Sequence, residues 1–122
     1  MYLVDSSGWI EFFSEGPLSD KYSKYTSNIT KIITPTIVLF EVYKKIKRER
    51  SEEDALQAVS LMNRTSVIPL CESIALLAAD MSLQYSLPMA DAIVYATALE
   101  ERAKVVTSDA HFKDLKDVIF IS

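Results

Sequence analysis

The 122-residue chain predicts an α/β protein, a mostly parallel sheet covered by helices on both faces. Three observations lead there. Five short apolar runs, at residues 2–4, 31–33, 66–69, 104–107 and 118–121, have strand length. The segments between them carry helix starts or apolar residues at three- and four-residue spacing. Strands that alternate with helices connect parallel neighbours. With Gly 2 and Pro 4 there is little room for long linkers, so residues 1–122 are expected to form a single domain.

Taken in order, Tyr2–Val4 is the first strand, and Asp5, Ser6 or Ser7 can cap a helix reaching about Phe13. Gly16-Pro17 breaks the chain, and the Tyr- and Ser-rich residues 18–28 read as a second helix. After the strand at 31–33, Thr34-Pro35 reads as the start of a helix to about Arg48, since proline suits a first turn. Ser51-Glu52-Glu53-Asp54 resembles a capping box, with Asp in place of the usual Glu or Gln, and opens a helix to about Asn63. The strand at 66–69 precedes residues 72–85, where Ile74, Leu77, Ala78, Met81 and Tyr85 recur at helical spacing. Pro88 starts a very apolar helix to about Arg102. The strand at 104–107, a helical turn near Ala110–Leu115 and the strand at 118–121 complete the chain.

Hydrophobic residues at 49% and charged residues at 25% describe a globular chain and exclude disorder. No apolar run approaches the roughly 18 residues of a membrane span. MYLVDSS lacks the basic region and long apolar core of a signal peptide, so a cytoplasmic location is expected. The lone Cys71 fits a reducing compartment, excludes an internal disulfide framework, and is expected as a small buried side chain. A net charge of −4 does not advertise a nucleic-acid partner. A carboxylate cluster would account for that charge, however, and two divalent cations would cancel it.

Four acidic residues stand out. Asp5 ends YLVD and Asp109 follows KVVTS, so both lie at the carboxyl ends of strands, where parallel sheets place ligands. Either could instead cap the helix that follows. Glu41 interrupts TIVLFEVY, and Asp91 interrupts LPMADAIVYATA. An ionised carboxylate in such apolar surroundings costs several kcal/mol unless something compensates it. For Glu41 the structural alternative is a polar strip with Lys44 and Lys45, three and four residues on. For Asp91 it is a helix's first turn, where the macrodipole favours an acid. A metal would account for both buried acids at once.

Other chemistry finds little support. His111 is the sole histidine, so a His-based zinc site or a serine triad lacks a second one; it is expected to pack or cap near the last strand. There is no glycine-rich phosphate loop. Hard oxygen ligands with few alternatives select Mg²⁺ or Mn²⁺. The basic run Lys44, Lys45, Lys47, Arg48 and Arg50 reads as a solvated helix end or as an edge guiding a phosphate backbone. Trp9, Phe12 and Phe13 read as core, with a base-stacking surface as the alternative.

The motifs YLVDSS, TPTIVLFEV, MADAIVYATALE and VVTSDAHF, in this order along essentially the whole chain, resemble a PIN domain, specifically a small VapC-type toxin ribonuclease. The third motif is the most specific. The resemblance implies a three-layer fold with a central parallel five-stranded sheet flanked by helices. It implies Asp5, Glu41, Asp91 and Asp109 around Mg²⁺ or Mn²⁺, with hydroxyl support from Ser6 and Thr107. It further implies an RNA substrate, a homodimer and a small inhibitory antitoxin protein. Alternatives are a PIN-domain RNA-processing nuclease outside any toxin–antitoxin pair, a receiver-like phosphoacceptor module, and a catalytically idle interaction domain. A receiver needs paired acids after its first strand and a lysine after a late one. Here Asp5 is followed by Ser6-Ser7, and Lys104 precedes its strand.

Overall fold

The computed structural model describes residues Met1–Ser122. In chain order its elements are β1 (Tyr2–Val4), α1 (Ser6–Phe13), α2 (Ser19–Thr26), β2 (Ile32–Pro35), α3 (Thr36–Glu49), α4 (Glu52–Met62), β3 (Ser66–Ile68), α5 (Glu72–Tyr85), α6 (Met89–Glu100), β4 (Lys104–Thr107) and β5 (Val118–Phe120). Short 3₁₀ turns at Ile29–Lys31 and Ala110–Phe112 lead into β2 and follow β4. All strand pairs are parallel, in the order β3-β2-β1-β4-β5. The α/β architecture expected from the sequence, a five-stranded parallel sheet flanked by helices, is the one found.

The strand order fixes where a ligand can bind. From β1 the chain steps outward through β2 to β3, then returns across β1 to build β4 and β5 on the other side. Connections therefore leave β1 and β4 in opposite directions, and a crevice opens at their carboxyl ends. In register, Val4 lies beside Val106, and the Asp5 N–H donates to the Val106 carbonyl at 3.3 Å. The residue after β1 is thus pinned against β4 near its carboxyl end.

Sheet and helices share one core. Leu3, Val4, Ile32, Val105 and Val106 are fully buried, as expected of strands covered on both faces. On α3 the buried stripe is Val38, Val42 and Ile46. On α6 every residue from Ala92 to Ala98 is buried, and its alanines allow close approach to neighbouring elements. Trp9 is fully buried, with Phe12 and Phe13 packed against the core.

Four local details differ from the sequence reading. Pro35 and Pro88 do not open their helices: each is an extended N-cap, and Pro35 also ends β2. The fixed proline φ is equally compatible with extended backbone, so the helix starts one residue later. Ser51 Oγ accepts from the Asp54 N–H at 3.0 Å, but the Asp54 carboxylate turns to Arg50 Nε at 3.3 Å, leaving half a capping box. Cys71 is exposed, not buried, because it is the N-cap of α5 at the rim of the fold. No helix is long and apolar enough to cross a membrane.

Candidate functional site

Asp5 is the most firmly held side chain at the crevice. It is the N-cap of α1, 5% exposed. Its Oδ1 accepts from the Ser7 hydroxyl at 2.7 Å and the Gly8 N–H at 3.1 Å, and its Oδ2 accepts from the Thr107 hydroxyl at 2.6 Å. Gly8 has no room for a side chain, since a Cβ there would lie 2.6 Å from both Tyr22 Cε1 and Val4 Cγ1. The close passage of α1 over β1 and α2 brings the Gly8 N–H to Asp5. Despite its three donors, Asp5 has a pKa raised to about 6, because burial outweighs the hydrogen bonds and Asp109 adds repulsion.

Asp109 follows β4 by two residues. Its backbone N–H donates to Thr107 Oγ1 at 2.9 Å, so one buried hydroxyl links both strand-end acids. Its Oδ1 accepts from the His111 N–H at 2.9 Å and caps the 3₁₀ turn, placing the imidazole over the crevice. His111 Nδ1 lies 3.1 Å from Asp109 Oδ1 and 2.8 Å from Asp91 Oδ2.

Asp91 lies in the first turn of α6, facing the crevice. Its pKa is raised to about 6, first by burial and then by Asp109, against the lowering effect of His111. Glu41 comes from α3, and burial with repulsion from Asp109 raises its pKa while the neighbouring Ser6 side chain opposes the shift. Charge on Asp109 is thus felt by each of the other three acids, although the sequence marks it no more strongly than the rest. The structure brings all four acids to one crevice, with only Asp91 and Asp109, together with His111, at ligand distance from one another. It also puts Thr107 under Asp5 and Ser6 beside Glu41.

Neither Lys44 nor Lys45 pairs with Glu41; Lys45 reaches Glu49 at 3.9 Å instead. No lysine or arginine bridges any of the four acids, and His111 is the sole basic partner. Ligand atoms of Asp91, Asp109 and His111 lie within 4.8 Å of one another. A converging group of oxygen donors and one imidazole, mutually repelling and without a balancing cation, fits a divalent metal.

An open cavity of ≈ 500 Å³ runs outward from Ser6, Ser7, Glu41 and Ser108 along α3, past Phe40, Lys44, Lys45 and Arg48. Lys47 does not line it. Its ammonium instead bonds Glu52 at 3.2 Å and the Tyr43 hydroxyl at 3.3 Å.

His111 does not pack near the last strand as expected but is 57% exposed and faces Asp91 and Asp109, and the sequence does not mark the site contacts of Ser7, Ser108 and Tyr22. The Tyr22 hydroxyl donates to Ser108 Oγ at 2.8 Å, and Ser108 Oγ lies 3.4 Å from Ser7 Oγ. For His111 a signal existed: an exposed Asp-x-His directly after a strand. For Tyr22 nothing local marks the contact, which spans 86 residues.

Comparison with known proteins places the fold. A family profile described as PIN domain matches residues 2–118. Among solved structures, a toxin–antitoxin complex from Klebsiella pneumoniae superposes with a TM-score of 0.84 at 21% identity, over 98% of this chain and 96% of that one. The VapBC2 complex of Rickettsia felis, bound to a DNA fragment from its promoter, gives 0.76 at 18% identity over 98% and 96%. The sarcin-ricin-loop-cleaving toxin VapC20 of Mycobacterium tuberculosis gives 0.75 at 13% identity over 93% and 92%. No curated protein sequence matches the chain.

Proposed function

This chain belongs to the PIN-domain family, and on that premise we propose that it is a metal-dependent endoribonuclease, the toxin of a toxin–antitoxin pair. The observation that carries the reading is the group of four acids at the β1/β4 crevice, without a lysine or arginine partner, beside the lysines and arginine of α3. Family membership sets aside the receiver-like alternative. The toxin role is supported by the structural neighbours, which are a toxin and toxin–antitoxin complexes. An antitoxin protein, a homodimer and a cytoplasmic location belong to the same proposal.

Asp5, Glu41, Asp91 and Asp109, with His111 at the rim, would hold Mg²⁺ or Mn²⁺. A divalent cation held there supplies Lewis-acid activation of a water and of the scissile phosphate. The chain supplies the geometry. Asp5 cannot swing away, because Ser7, Gly8 and Thr107 hold both its oxygens. Glu41 or Asp91 would position the attacking water or take its proton, in line with the departing oxygen. Lys44, Lys45 and Arg48 hold neighbouring phosphates on the cavity wall.

The test is RNA cleavage by purified protein, first in chelator and then with Mg²⁺ or Mn²⁺ restored. Cleavage is expected only with the cation, and cleavage that persists in chelator would sink the metal-dependent mechanism. Co-expression with a short antitoxin-like reading frame beside the gene is expected to silence it.

A further inference from the structure

Phe40 is 57% exposed in the wall of the cavity beside Glu41. The ring packs against no other aromatic and is not part of the core, so folding gains little from it. Its neighbours are charged. Lys44 Nζ lies 5.5 Å from the ring centroid, and Lys45 and Arg48 follow along the same wall. The opposite face of α3 carries the buried Val38, Val42 and Ile46. The helix therefore turns an apolar face to the core and an aromatic ring followed by cations to the cavity.

An aromatic platform beside a row of cations is the arrangement by which proteins hold a single nucleic-acid strand, with a base on the ring and phosphates on the cations. A paired base is already stacked on both sides and has no face to offer. Resting on the nuclease reading, we propose that Phe40 is a stacking platform for an unpaired base adjoining the scissile phosphate. The substrate would then be single-stranded where it crosses α3. Phe40 would act in binding and positioning, while the acids do the chemistry. The charge of Lys44 against the ring would add to the attraction for the strand.

The Asp5→Asn protein, which retains Phe40 but is not expected to cleave, can be titrated with an unstructured RNA oligonucleotide carrying 2-aminopurine. Stacking on Phe40 is expected to quench the probe. Adding Phe40→Leu should weaken binding about five- to a hundredfold and abolish the quench. Phe40→Trp should restore both. An oligonucleotide lacking the stacked base, and an RNA duplex, should bind equally with and without the Phe40→Leu substitution. Unchanged affinity and quench in Phe40→Leu would overturn the proposal, as would an equal loss on the abasic strand. So would a Phe40→Leu effect confined to binding a protein inhibitor. Wild-type protein that neither binds nor cleaves RNA in Mg²⁺ would instead overturn the nuclease reading. Wild-type cleavage with an indifferent Phe40→Leu would overturn the stacking alone.

Discussion

The two acids at strand ends and the two on helices meet in one crevice but are held in different ways. Asp5 and Asp109 are tied to the sheet through a shared hydroxyl, Thr107, and Asp5 also takes donors from α1. Both cap the turns that follow them. Asp91 has His111 as its hydrogen-bonding partner, and Glu41 has the Ser6 side chain beside it. Strand-end acids are thus part of the scaffold, whereas helix-borne acids are loads carried by it. Burial and the charge of Asp109 weigh on Asp5, Glu41 and Asp91, but only the strand-end pair returns structural support.

Several measurements would break or sharpen that contrast. On activity the two pairs should be indistinguishable: Asp5→Asn and Asp91→Asn should each lower RNA cleavage by at least about a hundredfold, with native far-UV circular dichroism. Normal cleavage by both variants would remove the basis for the assignment. Stability should separate them. Asp5→Ala loses a helix cap and leaves Thr107 without its acceptor, and should cost about 2 kcal/mol. Asp91→Asn relieves repulsion and should raise metal-free stability by up to about 1 kcal/mol in urea melts.

The contrast also carries a pH dependence. Raising the Asp5 pKa from 3.8 to about 6 favours its protonated form in the folded state. Its stabilising contribution is full below pH 3.8 and is lost as pH rises through about 6. This amounts to on the order of 3 kcal/mol for so buried a group. Asp91 shifts in the same sense. Metal-free protein is expected to lose stability across this window, and Mg²⁺ or Mn²⁺ to restore it far more at about pH 7.5 than at about pH 4.5. Equal cation effects at both pH values would show that the acids do not bind the ion.

Thr107→Val tests the shared hydroxyl directly. It leaves a buried Asp5 oxygen and the Asp109 N–H without their partner and should cost about 1–3 kcal/mol, with cleavage also reduced. A neutral substitution would separate the two strand-end acids. The smallest effect belongs to the basic wall. Lys44→Ala should lower the slope of RNA affinity against salt by about one, while Lys47→Ala, whose ammonium is bonded to Glu52, should leave it unchanged.

Much of the fold is legible in the sequence because strands and helices carry opposite periodicities. The five apolar runs and the spacing of Ile74, Leu77, Ala78 and Met81 locate elements to within a residue or two. Prolines blur boundaries, since Pro35 and Pro88 satisfy extended and helical φ alike. The acids draw notice because charge in apolar surroundings needs a reason. Their supports do not, because a hydroxyl on Tyr22 or Ser7 is unremarkable until the chain brings its partner near. Lys44 and Lys47 look alike in the sequence, and only the fold gives Lys47 the Glu52 and Tyr43 partners that hold it out of the cavity lining. Cys71 shows the reverse error: residue type suggests burial, but a cap position at the rim of α5 decides otherwise.

The hydrogen bond from Thr107 to Asp5 joins residues 102 positions apart. Asp5 is therefore synthesised 102 residues before its partner on β4. At about 5–20 residues per second, the carboxylates remain unassembled for roughly 5–20 s of synthesis. No nascent fragment short of β4 can place Asp5 beside Asp109, because the crevice is formed by the strand that arrives after the chain has doubled back. Topology therefore acts as a timer: the carboxylate cluster cannot exist before β4 has been made.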